Sequence, residues 1–281
     1  MHAFLFWSLG MPSKRWRVVE SLMERGITSP ALWRALDPAE YRRYKKRNKK
    51  GLTVKEILRD VVTHLPWCRT FKVFLLRGVT PTYIETNSVF RLLEANDYCP
   101  RSVGTAILRW AEMESPRNTL WISGSPRSGA EALIECLFYL APLRSVADAR
   151  RQNPFARCTP SVLIWWNSGR IQEQHVGLVR QVLGGQHVVF PELLWEEGLS
   201  RELYRTPVLV SSDAMHLVVD GSGAELDGYA PMLESTMYHL HLTEDLPPDE
   251  NLTETDVMDF FCWVDSRPAT INDNVYDLHQ C

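Results

Sequence analysis

Gly124 and Gly129 bracket the loop Gly124-Ser125-Pro126-Arg127-Ser128-Gly129, which stands between an apolar run and an apolar-periodic one. A glycine loop in that place gathers backbone N–H groups around a phosphate. A lysine then meets the β- and γ-phosphates and a hydroxyl holds Mg²⁺. The motif is G-x-x-x-x-G-K-[ST], and here it closes on Ala130 and Glu131. A methyl group stands for the lysine and a carboxylate for the hydroxyl. Glu131 places a negative charge at a helix N-terminus, where it opposes a polyphosphate. The shape of the loop points to phosphate binding and its side chains point away from it.

Other candidate chemistry is sparse. His239 and His241 alternate along a predicted strand and so share one face, with Asp213 and Glu225 as further metal-ligand candidates. Two ligands without a third and fourth specify little, so a half-buried strand with polar residues is the preferred reading and no metal is expected. Leu193, Leu194 and Trp195 lie beside Glu196 and Glu197 in a long connection. Exposed tryptophan and leucine anchor interfaces, which makes this a protein-interaction candidate; the alternative is Trp195 folded back onto the core. The six cysteines are scattered without a C-x-x-C pair, which reads as reduced thiols.

The elements that must position these residues change character along the chain. From about residue 113, apolar runs alternate with helical patterns, the mark of an α/β sheet. The strands are predicted at Thr119–Ile122, Val162–Trp166, Val188–Phe190, Val208–Ser211 and Met237–Leu242. Helices are predicted at Ala130–Leu140 and Gln172–Leu183, and at Glu254–Val264 behind the cap Thr253. Before residue 112 the pattern is helical, with caps at Ser13, Ser29, Thr53 and Asn87 and with Pro30 at a first helical position. The expected domains are therefore a helical unit, residues 1–112, and a sheet domain, residues 113–281.

Charge follows the same division. Residues 1–110 carry 20 Lys+Arg against 9 Asp+Glu, and residues 111–281 carry 11 against 25. The densest cationic run holds Arg42, Arg43, Lys45, Lys46, Arg47, Lys49 and Lys50. It reads as a nuclear-import signal or a nucleic-acid contact, against the alternative of a solvated helix face. The apolar N-terminus is short and lacks a basic leader, so no signal peptide is expected. No window approaches the roughly 20 apolar residues of a membrane span, and no membrane partner is expected.

Several blocks together resemble the helicase domain of the parvovirus replication (Rep, or non-structural) proteins, superfamily-3 helicases, and most closely the adeno-associated branch. They are Arg25-Gly26-Ile27-Thr28-Ser29, Tyr83–Trp110, Asn118-Thr119-Leu120-Trp121, Val162–Trp166, Leu183-Gly184-Gly185, Thr206–Gly221 and Asp259–Trp263. Their order and spacing match from about residue 16 to the end. The resemblance implies an α/β fold: a small helical oligomerisation-type domain, then an AAA+ P-loop sheet domain. The larger family members begin with a nicking endonuclease domain; none precedes Met1, so the chain resembles the short, helicase-only form.

The resemblance also implies which positions carry ATP-driven chemistry, and at each the residue type is wrong for the task. The Walker B carboxylates that place Mg²⁺ and polarise water are Asn167 and Ser168. The sensor asparagine is Asp213, which repels phosphate. The arginine finger is Thr236, and no arginine lies between Arg205 and Arg267. The hairpin after Gly185 has no lysine or arginine before Arg201, although DNA binding rests on cations replacing counterions. The expectation is a pseudo-ATPase holding neither ATP nor Mg²⁺, a short degenerate Rep-like protein of the kind carried by avian adenoviruses. It would act as a protein-interaction scaffold for host or viral proteins in the host nucleus, with the cytoplasm as a second compartment, as a monomer or weak homo-oligomer. The alternative is a nucleic-acid-binding replication protein that holds DNA through its basic N-terminal unit, with or without residual ATP binding.

Overall fold

The computed structural model describes residues 13–46, 52–148, 151, 153–167, 170–190, 202–211, 217–245 and 251–280. These form two compact units, residues 1–70 and 71–281.

The first unit is built from α1 (Lys14–Arg25), α2 (Pro30–Leu36), α3 (Pro38–Lys45) and α4 (Val54–Cys68). Each start is capped by a side chain that accepts a free N–H of the first turn: Ser13, Ser29, Asp37 and Thr53. Thr53 and Glu56 form a reciprocal capping box. Trp33 is fully buried, with Tyr44 at 5.6 Å and Tyr41 edge-on at 6.0 Å. Its Nε1–H donates to Glu40 at 3.0 Å, and Glu40 in turn accepts from Arg25 at 2.6 Å.

The second unit opens with α5 (Lys72–Leu75), α6 (Ser88–Ala95) and α7 (Pro100–Ala111). Its chain then alternates: β1 (Thr119–Gly124), α8 (Ala130–Leu140), β2 (Arg144–Val146), β3 (Leu163–Trp166), β4 (Arg170–Gln172), α9 (Val176–Leu183), β5 (Val188–Val189), β6 (Glu202–Leu203), β7 (Val208–Val210), β8 (Leu217–Val219), β9 (Glu225–Leu226), α10 (Ala230–Glu234), β10 (Met237–Leu242) and α11 (Glu254–Ser266). The main sheet is parallel throughout, in the order β10-β1-β7-β3-β2. Because parallel strands need crossovers that cover both faces, its inner strands β1, β3 and β7 read as largely apolar runs. On one face Trp121, Ile164, Trp166, Val208 and Val210 meet Val176, Val179, Leu183 and Phe155. On the other, α8 packs on β1, and α11 packs on α7 and α8. Thr253 caps α11 through a second capping box with Asp256.

Two expectations change. The boundary near residue 112 moves to residue 70, because α5, α6 and α7 pack against α11. Tertiary packing, rather than the helix-to-sheet change of pattern, sets the unit. The helix expected from Gln172 starts at Val176, since Gln172 closes β4 in register with Val219. Recounted on the observed units, residues 1–70 hold 15 Lys+Arg against 6 Asp+Glu, and residues 71–281 hold 16 against 28.

The lead-in to β1 is fixed by a buried cation. Arg117 donates to the carbonyls of Glu234 (2.6 Å), Met237 (2.7 Å), Asn274 (2.7 Å) and Asp273 (3.4 Å). Beside it the Asn118 amide donates to the carbonyls of Val182 (3.0 Å) and Thr206 (2.8 Å). The outer edge of β10 is covered. His239 N–H donates to the Tyr276 carbonyl at 2.8 Å, and the Tyr98 hydroxyl joins both the N–H and the carbonyl of His241.

Candidate functional site

Ligands of open parallel sheets bind beyond the carboxyl ends of the strands. Three of the loops singled out in the sequence leave that edge side by side, because β7 pairs with β1 on one side and β3 on the other. They are the glycine loop after β1, Asn167 after β3, and the segment after β7. Ser168 and Asp213 lie outside the described residues. Thr236 is not brought to this edge. It precedes β10 at the opposite end of the sheet, where its hydroxyl donates to the Leu233 carbonyl at 2.6 Å and its own carbonyl accepts from Asn118.

The glycine loop keeps the turn of a phosphate cradle. Gly129 sits at φ +79°, the left-handed region where a side chain is strained, and it caps α8. A Cβ at Gly124 would collide with the Leu242 carbonyl oxygen and the Ser128 hydroxyl. The inside of the turn is occupied by the chain itself. Ser128 is fully buried; its hydroxyl donates to the Ser125 carbonyl at 2.8 Å and accepts the Ala130 N–H at 3.4 Å. The Ser128 N–H donates to the same carbonyl at 3.0 Å, and the Ser125 N–H to Leu242 at 3.3 Å.

The loop's one cation is also engaged. Arg127 pairs with Asp245 at 3.0 Å, both partners exposed, and the Ser125 hydroxyl reaches Asp245 at 3.4 Å. An exposed pair of this kind is screened and stabilises little, but it places a carboxylate against the loop. Outside the turn lies an open depression of about 460 Å³, lined by Pro126, Arg127, Gly129, Glu131, Ala132 and Glu135. The Ala130 methyl is buried and Glu131 is exposed. Behind the β3 end, the Trp165 indole N–H donates to the Ser211 hydroxyl at 2.7 Å, tying β3 to the end of β7.

A polar cluster missed in the sequence joins β1 to β10. The parallel register sets Ser123 opposite His241 and Trp121 opposite His239. The Ser123 hydroxyl lies 2.8 Å from both His239 Nε2 and His241 Nδ1, and His239 stacks on Trp121 at 3.9 Å. The alternation of the two histidines is legible in the sequence, but their shared partner depends on a long-range register. Among the described residues no group of three His, Cys, Asp or Glu is arranged to hold a metal ion.

The other candidates are placed as follows. Arg42, Arg43 and Lys45 occupy the last turn of α3 and Lys46 its C-cap, where cations suit the helix dipole. Arg47, Lys49 and Lys50 lie outside the described residues, as do Leu193, Leu194 and Trp195. The described base of that last connection is the β5–β6 hairpin, where His187 stacks on Tyr204 at 4.5 Å. No helix among the described residues is long and apolar enough to cross a membrane.

Among the described thiols, Cys99 stands apart in its surroundings. Cys99 is exposed at the N-cap of α7, and the Ser102 hydroxyl, aided by the Ser102 and Arg101 N–H groups, holds it below the ordinary thiol value. Burial pushes Cys136 up to about 11 and Cys158 up to about 12. At neutral pH iodoacetamide is expected to label Cys99 ahead of Cys68, Cys136, Cys158 and Cys262, read by peptide mass spectrometry. Equal labelling of Cys99 and Cys158 in the native chain would contradict this.

The chain matches the family of the parvovirus non-structural protein NS1 over residues 10–276. The ORF2 protein of fowl adenovirus A serotype 1 (strain CELO / Phelps) is 38% identical over 263 residues, covering 92% of this chain and 95% of that one. Protein Rep52 of adeno-associated virus 2 is 26% identical over 259 residues, covering 91% of this chain and 64% of Rep52. The initiator protein NS1 of human parvovirus B19 (isolate AU) is 27% identical over 187 residues, 66% of this chain and 27% of NS1. The chain thus spans nearly all of ORF2 but only part of the two parvovirus proteins. Among solved structures, JCV helicase with a bound small molecule aligns over 83% of this chain and 78% of that one, at 8% identity and a TM-score of 0.48. With a parallel β10-β1-β7-β3-β2 sheet and a glycine loop at its carboxyl edge, the chain belongs to the parvovirus NS1 family, as a Rep-like superfamily-3 helicase-domain protein.

Proposed function

We propose that the chain is a non-catalytic viral accessory protein that keeps the Rep-type helicase fold as a scaffold for contacts with host or viral proteins in the infected-cell nucleus. The observation that carries this reading is the self-filled glycine loop. The Ser128 hydroxyl occupies the inside of the turn, while Ala130 and Glu131 stand where lysine and hydroxyl are needed. Phosphoryl transfer depends on positioned cations around the γ-phosphate, and loss of one such group commonly costs orders of magnitude in rate. Here Glu131, Glu135 and Asp245 surround the loop, and Arg127 is bound to Asp245. Asn167 supplies no general base, and Thr236 supplies no charge to a neighbour. This donor set does not fit Mg²⁺ and ATP.

Purified chain is expected to hydrolyse ATP no faster than background and to give no nucleotide-binding heat by calorimetry. Hydrolysis above background that disappears when the Gly124–Glu131 loop is altered would overturn the reading. Affinity purification from infected cells would identify the partners.

A second reading has its own observation, the +9 balance of residues 1–70 with Arg42, Arg43, Lys45 and Lys46 gathered at the end of α3. Such a unit would hold DNA by releasing condensed counterions. Its signature is steeply salt-dependent DNA binding that is lost when Lys45, Lys46, Lys49 and Lys50 are neutralised. Nuclear import unchanged in that variant would separate DNA contact from an import signal.

A further inference from the structure

The main sheet ends on one side at β2, whose outer edge pairs with no other strand among the described residues. The register Arg144↔Leu163, Ser145↔Ile164, Val146↔Trp165, with Ala147 N–H donating to the Trp165 carbonyl at 2.8 Å, fixes which groups face β3. Leu143, Ser145 and Ala147 direct their backbone groups inward. Arg144 and Val146 direct theirs outward, and these have no hydrogen-bond partner among the described residues. An open row of N–H and C=O groups is a template for an added strand.

The side chains beside this edge say what kind of strand fits. Val146 is 49% exposed and Tyr139 50% exposed, and both are large apolar surfaces at the rim. The Arg144 guanidinium lies over the Tyr139 ring at 4.9 Å and donates to the carbonyls of Tyr139 and Ala141, which holds a cation beside the edge. Arg144 thus sets a cation beside the edge of a unit whose overall balance is negative.

We propose that the β2 edge is a strand-addition site for an extended acidic segment of a partner protein. The segment pairs its backbone with Arg144 and Val146, rests apolar side chains on Val146 and Tyr139, and sets a carboxylate near Arg144. This names the partner chemistry of the scaffold reading and rests on it.

The test uses the full chain and a short dye-labelled peptide alternating valine with glutamate, followed by fluorescence anisotropy. A second peptide is N-methylated at alternate residues, which deletes the N–H groups of one edge and keeps every charge. The expected result is binding of the first peptide, loss of binding on N-methylation, and new exchange protection at the Arg144 and Val146 amides. Val146→Pro removes an N–H that makes no bond to β3, and proline is tolerated at a sheet edge behind an extended residue such as Ser145. It is expected to weaken the peptide about tenfold, the scale of one or two lost hydrogen bonds. Arg144→Glu is expected to weaken the glutamate peptide and favour a lysine counterpart, and it tests the site independently of the proline. Equal binding of the N-methylated peptide would reduce the effect to charge adhesion and overturn the proposal. So would binding indifferent to both variants, no binding at millimolar peptide, or a peptide-sensitive dimer, which would assign the edge to a second copy. ATP hydrolysis is read separately, so an active ATPase with peptide binding intact would sink the scaffold reading and leave the edge site standing.

Discussion

Arg117→Ala is expected to destabilise residues 71–281 by about 3–5 kcal/mol, the scale for stranding the partners of a buried, hydrogen-bonded charge. Arg117 is 8% exposed, and its fork spans four carbonyls from two segments, Glu234–Met237 and Asp273–Asn274. Alanine removes every donor and leaves those carbonyls without a partner in a place water reaches poorly. For a unit of this size the melting temperature should fall by about 10 °C. Arg117→Lys should recover only part of that, because an ammonium group lacks the planar fork that meets several acceptors at once. Thermal unfolding followed by near-ultraviolet circular dichroism checks both variants. A shift within a degree for the alanine variant would show that the four bonds add nothing net.

Trp33→Ala is expected to unfold the first unit and leave the second folded. Trp33 fills the centre of a small helical core between Tyr41 and Tyr44. Deleting a buried tryptophan costs about 3–5 kcal/mol, and a unit of 70 residues has little stability beyond that. Hydrogen-exchange mass spectrometry should show lost protection in α1–α4 and unchanged protection in β1 and β10. Trp33→Phe keeps an aromatic ring but removes the bond to Glu40 and leaves a smaller side chain in a buried site, so it should cost about 1–3 kcal/mol, less than alanine. If protection is lost in both units, residues 1–70 and 71–281 fold as one body and the independence implied by their separate contacts is wrong.

Much of the fold was legible because local chemistry decides it. Ser13, Ser29, Thr53, Asn87 and Thr253 each cap the helix expected of them, since a free N–H in a first turn needs an acceptor nearby in sequence. The strands β1, β3 and β7 were legible because both of their faces are largely buried, and β10 because its buried residues alternate with His239 and His241. β2 was not. Its three residues Arg144, Ser145 and Val146 show neither an apolar run nor alternation, and only pairing with β3 makes them a strand.

The candidate site divides in the same way. Ala130 and Glu131 were read from their types, and the structure adds their surroundings: one buried, one exposed beside the depression. The inward turn of Ser128 and the pairing of Arg127 with Asp245 were not legible. A serine inside a glycine loop reads as loop composition, and Asp245 is far from Arg127 along the chain. The Ser123–His239–His241 cluster was hidden for a related reason, because it joins residues that only the β1–β10 register brings opposite each other.

The sheet's two ends differ, and the difference limits how these molecules can polymerise. At β10 the outward groups are already bound: His239 to Tyr276, His241 to Tyr98, and the Met237 carbonyl to Arg117. At β2 they have no partner among the described residues. Among the described residues the main sheet therefore has one uncovered edge, which gives that sheet a valency of one for strand pairing. Association of main sheets through β2 would stop at a pair, and growth through that sheet would need β10 to shed its cover first.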